Sequence, residues 1–210
     1  EVLAAYALTE AGSGSDSAAM RTVARRDNGE YVLDGTKRFI TNAGVAGLYT
    51  VFAKTDPEAG HAGISAFLVE PETPGFEVAR LEEKMGIAGS TTGELVFDGC
   101  RVPEANRLGP EGAGFKLAMR TLDVFRASVA AAALGFARRA LDEAVAHAKK
   151  RAMFGGHLAD LQLTQAAFGD LATGIEGAAL LTARAAWKRD IGGPATRTTR
   201  EAAMAKLAAT

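Results

Sequence analysis

A single cysteine, Cys100, among 210 residues excludes an intrachain disulfide framework and a CxxC metal site. Histidine is nearly as scarce: His61, His147 and His157 lie scattered without ligand spacing, which argues against structural zinc and leaves no metal site to assign. Neither sign of charge is in excess. With 24 Lys and Arg against 25 Asp and Glu the net charge is −1, so bulk electrostatics give no reason to expect nucleic acid or an anionic membrane as partner. Long apolar runs are missing too. The longest uncharged stretch with a strong apolar face, Ala127 to Ala137, is Ala-rich and too short to cross a bilayer. No internal repeat, low-complexity tail or basic-then-apolar leader is present. The chain opens on Glu1 rather than methionine and ends at Thr210 inside a helical pattern, so it is expected to be a piece of a longer protein. What is there, 48% hydrophobic and 23% charged residues, suits one large or two modest globular domains.

Two textures divide the chain. Up to about residue 110, turn chemistry recurs every few residues. Asp27-Asn28-Gly29 lies between Arg21–Arg25 and Tyr31–Leu33, a strong hairpin signal, and Asp34-Gly35 marks a further turn directly after it. Tyr49–Lys54, Ile64–Val69, Phe76–Val78 and Glu94–Phe97 read as further strands. Short strands with regular turns imply an antiparallel sandwich or barrel. After Gly109-Pro110, apolar residues from Phe115 to Ala144 recur at steps of three or four, the face of a long helix broken at Gly155-Gly156. A second helix runs from Leu161 to a stop at Gly192-Gly193-Pro194, and Thr198 with Glu201 forms a capping box that opens a third. Long helices with short Gly loops pack antiparallel. The expected class is α+β: a β-domain over residues 1–111, then the first helices of a bundle over 112–210.

Five places could carry chemistry, each with a plainer reading beside it. Glu10-Ala11-Gly12-Ser13-Gly14-Ser15-Asp16 lacks the Lys-Ser/Thr of a P-loop and is followed by a strand-like run, not the helix of a dinucleotide fingerprint. It is either a loop whose amides and hydroxyls cradle a phosphate or a flexible turn. Phe39, Ile40 and Thr41 could face a flat ring, or serve core packing before the turn-starting Asn42. Asp123 and Arg126 share a helix face as a surface ion pair or as a polar pair in a pocket wall. Arg151, in Arg151-Ala152-Met153-Phe154-Gly155, could offer a cation to a phosphate or answer the helix dipole. Cys100 reads as a small buried residue, since no histidine is near it in sequence.

The order of these signals says more than any one of them. Tyr6-Ala7-Leu8-Thr9-Glu10, the Gly/Ser loop ending in Ser15-Asp16, and Gly35-Thr36-Lys37 with Phe39-Ile40-Thr41-Asn42 come first. Lys84-Met85-Gly86, Phe97-Asp98, Val102-Pro103, Gly112-Ala113-Gly114-Phe115 and Arg151 through Gly155 follow. In this order they closely resemble the acyl-CoA dehydrogenase family, from the first residue to the last.

The resemblance implies a flavoprotein, represented by its middle β-domain and the first helices of its last domain. It implies that the backbone around Tyr6, Leu8 and Thr9, with the Thr9 hydroxyl, binds the pyrimidine side of the FAD isoalloxazine ring. Ser15, after Gly14, would meet the FAD pyrophosphate and lie near the acyl-CoA. Phe39, where the family usually has Trp, would line the flavin with Ile40 and Thr41. Asp123 and Arg126 match acyl-CoA contacts, while Arg151, Phe154 and Gln162 match residues that reach the FAD of a neighbouring subunit. Dehydrogenation of a thioester needs a base for the α-proton while the β-hydrogen leaves as hydride to flavin N5. The family's usual glutamate base would lie beyond Thr210. The alternative position, directly before the arginine on the first long helix, is Phe125, so no catalytic residue is assigned within this chain. The implied partners are an acyl-CoA substrate, an electron-transfer flavoprotein as electron acceptor, and further copies of the chain in a homotetramer built as a dimer of dimers. The implied location is a bacterial cytoplasm rather than the mitochondrial matrix. An acyl-CoA oxidase, or a non-catalytic flavin or acyl-CoA binder, remain the alternatives.

Overall fold

In the computed structural model, residues 2–193 and 196–210 are described. The chain divides into two compact units, one up to Ala118 and one from Met119. The first is built on a seven-stranded sheet with strands β1 Ala4–Ala7, β2 Val23–Asp27, β3 Glu30–Thr41, β4 Leu48–Lys54, β5 Ile64–Val69, β6 Phe76–Leu81 and β7 Thr92–Pro103. Their spatial order is β1-β4-β2-β3-β7-β6, with β5 also paired to β4. The β2–β3 hairpin closes through Asn28 and Gly29, both at positive φ, with Asp27 opposite Glu30. That is the twist-matched two-residue turn expected from this tripeptide.

Two expectations about the sheet are corrected. It is mixed, not purely antiparallel: β1 runs parallel to β4 from Ala4↔Leu48 to Ala7↔Val51, and β2 meets β4 in parallel at Val23↔Lys54. Parallel neighbours need a long crossover, and no local turn signal reports such a pairing. Asp34-Gly35 is not a turn. β3 passes straight through it, with a register shift between Leu33 and Gly35 against β7. At Gly35 φ is +150°, and an added Cβ would lie 2.5 Å from Thr22 Oγ1, so a bulge and a close approach account for the glycine. Asp34 instead accepts hydrogen bonds from the Gly99 amide and from Arg25.

The core of this unit is aromatic and β-branched. Tyr49, Phe76 and Phe97 stack in a row with centroids 4.8 and 5.3 Å apart, and Tyr31 meets Phe67 at 4.9 Å. Cys100 is fully buried among them, and burial, with Asp34 adding, pushes its thiol up to about 11. It is a packing residue, as expected.

Helix α1, Gly114–Lys150, starts where an added Cβ on Gly114 would lie 2.5 Å from the Ser65 carbonyl carbon. The second unit holds the rest of α1, then α2 Gln162–Gly192 and α3 Thr199–Ala209. Ala130, Ala185 and Ala205 pack the three helices together, and Arg138 reaches Glu176, so α1 and α2 run antiparallel as expected. Three local expectations change. α1 ends at Lys150, ahead of Gly155-Gly156, and the chain turns into a small hairpin of β8 Ala152–Met153 and β9 Gly156–His157. Phe154 and Gly155, both at positive φ, supply its two-residue turn. The Thr198–Glu201 capping box does not form: Thr198 makes no side-chain cap, and Glu201 accepts from Lys188 at 2.7 Å and Arg200 at 3.0 Å. A charged partner outcompetes a backbone amide for that carboxylate. α2 stops at Gly192 with Gly193 at φ +69°, while Pro194 lies outside the described residues.

Candidate functional site

Beyond β1 the chain continues alongside β3. The Arg38 amide donates to the Thr9 carbonyl at 2.8 Å, and Asn42 Nδ2 donates to the Ala4 carbonyl at 2.9 Å. The structure therefore brings Tyr6, Leu8 and Thr9 together with Phe39, Ile40 and Thr41, residues some thirty positions apart in the sequence. Their side chains part ways. Tyr6 stacks on Phe52 at 5.0 Å and donates to the Ala118 carbonyl, with burial raising its hydroxyl pKa. Leu8 and Ile40 are buried, Ile40 within the sheet core, so neither presents its side chain to a ligand.

Phe39 and Thr41 point the other way. A second register shift in β3, between Lys37 and Ile40, throws Phe39 outward at φ +57° with 58% of its surface exposed. A left-handed phenylalanine is a strained backbone, and an exposed ring gains little from folding. The Arg38 guanidinium sits 5.4 Å from the ring centroid. Among the described residues, the hydroxyls of Thr9, Ser15 and Thr41 have no hydrogen-bond partner within the chain.

The Gly/Ser loop is a built turn rather than a slack one. Glu10 and Ser13 exchange backbone hydrogen bonds, both at 3.1 Å, and the buried Ser13 hydroxyl donates to the Asp16 carbonyl at 2.8 Å. Gly14 and Ser15 are left exposed at its rim. A hollow of about 330 Å³ opens beside it, bounded by Gly12, Arg21, Thr36, Arg38 and Glu94.

Sequence reasoning missed the polar centre of this site. Lys37 is fully buried, and its ammonium donates to Glu10 Oε1 at 2.8 Å and to the Leu8 carbonyl at 3.2 Å. Glu10 also accepts from the Arg21 amide at 2.6 Å, the Thr22 amide at 3.0 Å and the Thr22 hydroxyl at 2.6 Å. Burial alone would raise the Glu10 carboxyl. The Lys37 charge and the hydrogen bonds from Lys37, Thr22 and Arg21 outweigh it, and its pKa lies below the ordinary value. Lys37 has fewer partners, so burial wins there and draws its pKa down to about 8 despite Glu10. One signal could have revealed it: Lys37 shares the inward parity of Tyr31 and Leu33 once β3 is read as one strand.

The remaining candidates lie in the helical unit. Asp123 is buried and accepts from Thr199 Oγ1 at 2.6 Å, Arg197 Nε at 3.3 Å and Arg126 Nη1 at 3.4 Å. It is no surface pair; it ties α1 to the start of α3. Phe125 beside it is half-exposed. Arg151 directly follows α1, Phe154 caps the β8–β9 hairpin with 91% of its surface exposed, and Gln162 opens α2, also exposed. Among the described residues no group of three or more His, Cys, Asp or Glu could hold a metal, and no helix is long and apolar enough to cross a membrane.

Residues 5–100 match the family model described as acyl-CoA dehydrogenase, middle domain, and residues 112–210 match acyl-CoA dehydrogenase, C-terminal domain. An acyl-CoA dehydrogenase of Bacillus subtilis is 49% identical over 204 residues, covering 97% of this chain and 53% of the relative. Butyryl-CoA dehydrogenase from Megasphaera elsdenii superposes with a TM-score of 0.95 at 45% identity, over 99% of this chain and 54% of that one. A chain from the structure described as electron transferring flavoprotein of Acidaminococcus fermentans gives the same three values, 0.95, 45% and 99%, and is also covered over 54%. The chain thus spans about half the length of the relatives it matches. Two adjoining domain models, in order and on the fold they describe, leave one assignment: the chain belongs to the acyl-CoA dehydrogenase family.

Proposed function

We propose that the chain forms the flavin-binding portion of an FAD-dependent acyl-CoA dehydrogenase, with the domain boundary between Glu111 and Gly112. The observation that carries this reading is Phe39, held outward in a left-handed conformation, with Thr41 exposed two residues on, the half-buried Thr9 tied to Arg38 through the backbone, and both hydroxyls free. A flat ring with a polar rim fits such a surface: it covers the phenyl group and gives the hydroxyls partners. FAD, when bound, supplies a two-electron acceptor for the hydride leaving the β-carbon.

The chain's own residues hold and orient. Thr9 and the Leu8–Thr9 peptide would hold the pyrimidine end of the ring, Phe39 would support it, and the Thr41 hydroxyl would lie near its reactive N5 edge. Ile40 contributes backbone alone. Ser15, beside Gly14, takes the pyrophosphate. Asp123 fixes Arg126, and the arginine faces the acyl-CoA. Arg151, Phe154 and Gln162 serve the FAD of a second copy, within a dimer of dimers; the exposed Phe154 supports that reading. Asp123 is committed to Thr199 and two arginines and does not serve as the base; the family resemblance implies a glutamate outside these residues for the α-proton. The Megasphaera relative supports a short acyl chain. The Acidaminococcus neighbour supports an electron-transfer flavoprotein as acceptor, and the Bacillus relative supports a bacterial source, for which we propose the cytoplasm as the location.

The test is the visible spectrum of the full-length protein under anaerobic conditions. Addition of butyryl-CoA should bleach the flavin band, and the reduced protein should pass its electrons to an electron-transfer flavoprotein far faster than to oxygen. Rapid reoxidation by oxygen would make it an oxidase; a band that never bleaches with any acyl-CoA would leave a binding protein.

A further inference from the structure

We propose that the buried Glu10–Lys37 pair is the positioning device of the flavin site, setting the Leu8–Thr9 peptide against the bulge that carries Phe39. The inference rests on the flavin reading above and adds two residues to it that touch neither ring nor substrate.

The pair stands where the two ring-facing segments cross. Glu10 directly follows Thr9, and Lys37 precedes Phe39 by two residues at the edge of the second register shift in β3. Lys37 Nζ holds Glu10 Oε1 and the Leu8 carbonyl together and lies 3.8 Å from Met20 Sδ. Glu10 in turn gathers the Arg21 and Thr22 amides, and Thr22 is the residue against which Gly35 closes. Five donors and acceptors, the Leu8 carbonyl, Met20 Sδ, the Arg21 and Thr22 amides and the Thr22 hydroxyl, therefore converge from two stretches of chain on one carboxylate and one ammonium.

Stability does not account for such a pair. Taking two charges out of water costs about as much as their attraction returns, and an apolar pair of similar volume folds at least as well. What the ions supply and an apolar pair does not is direction. The Leu8 carbonyl lies beyond the end of β1, and Lys37 is its donor. A cation on that carbonyl also polarises the whole peptide, making the Thr9 N–H at its other end a stronger donor. Among the described residues, that amide makes no hydrogen bond within the chain. On this account Lys37 acts on the flavin through the Leu8–Thr9 peptide, and Glu10 keeps Lys37 charged and in place.

The experiment compares the full-length holoenzyme with its Glu10→Gln and Glu10→Gln/Lys37→Met forms. FAD release on dilution is followed by the gain in flavin fluorescence, the bound flavin by its visible absorption envelope, and the fold by far-ultraviolet circular dichroism. The double variant removes both charges, so no buried ion is stranded. It should keep the wild-type fold yet release FAD at concentrations about tenfold higher or more, the order expected for one lost charge-assisted hydrogen bond. Its absorption envelope should move toward that of free flavin. Glu10→Gln, which keeps an acceptor oxygen for Lys37 and Thr22, should fall between the two, and it decides the matter alone if the double variant does not fold. A folded variant with wild-type FAD retention and an unchanged envelope makes the pair purely structural and overturns the proposal while the flavin reading stands. A wild-type holoprotein that cannot be obtained with FAD overturns the flavin reading first, and this inference with it.

Discussion

The two units solve the problem of burying a core in opposite ways. The β-unit buries its largest side chains: Tyr31, Tyr49, Phe52 and Phe67 have no exposed surface, and even a lysine is taken inside and paired. The helical unit closes on alanines. Ala130, Ala185 and Ala205 form its centre, while Phe136, Leu163, Leu180, Trp187 and Leu207 each leave more than half their surface open. Alanine lets helices approach closely but buries little apolar area, so its contribution to stability is small. The β-unit is built to hold a fixed surface by itself. The helices carry apolar faces left open within this chain.

Truncation breaks this contrast most sharply. Phe67→Ala should cost about 3–5 kcal/mol by urea denaturation, the order for emptying a packed aromatic position. Phe136→Ala, at 72% exposure, should cost the fold no more than about 0.5 kcal/mol. Any larger loss at Phe136 should appear as dissociation that depends on protein concentration, seen by sedimentation, since its face would then be buried between copies. Equal, concentration-independent losses at both positions would erase the difference between the units.

A smaller effect separates the units by pH. Glu201, in the helical unit, is held down to about 2, first by the Lys188 hydrogen bond and then by its own amide and Arg200. A depressed carboxyl contributes stability above its unfolded pKa and loses it as pH falls, here through the window from about 4.5 to 2. In the β-unit Lys37 titrates near 8 instead of 10.5. Between those values the unfolded chain holds a proton that the folded chain has released, so on this account stability rises with pH. Melting curves from pH 2 to 11 should show the acid slope flattened in Glu201→Gln and the alkaline rise absent in the Glu10→Gln/Lys37→Met form.

The units also differ in how far the sequence discloses them. Long apolar repeats make α1 and α2 plain, because a helix is a local structure with a local period. The Asn28-Gly29 hairpin is equally plain. The parallel pairing of Ala4 with Leu48 is not, since it is set by chain topology across more than forty residues. Asp34-Gly35 misleads because a bulge uses the same residues as a turn. The same error hides Lys37: a turn at Gly35 resets the alternation that would otherwise place a lysine inside the core. At Thr198 the pattern for a cap is present, but Lys188 claims the glutamate from another helix. The candidate ring residues are legible as a group through family resemblance. Which of them face outward is decided by the second bulge in β3, which sends Phe39 and Thr41 one way and Ile40 the other.

The central claim is that the β-unit presents a surface made for FAD, and flavin content per chain tests it most directly. The full-length protein purified at neutral pH should carry about one FAD per chain. Ser15→Ala should retain clearly less after dilution with an unchanged circular dichroism spectrum, because the loss of one hydrogen bond to a charged phosphate weakens binding by about 1.5–3 kcal/mol while burying nothing new. A colourless wild type that takes up no added FAD, or a Ser15→Ala form that keeps full flavin at every dilution, would contradict the account.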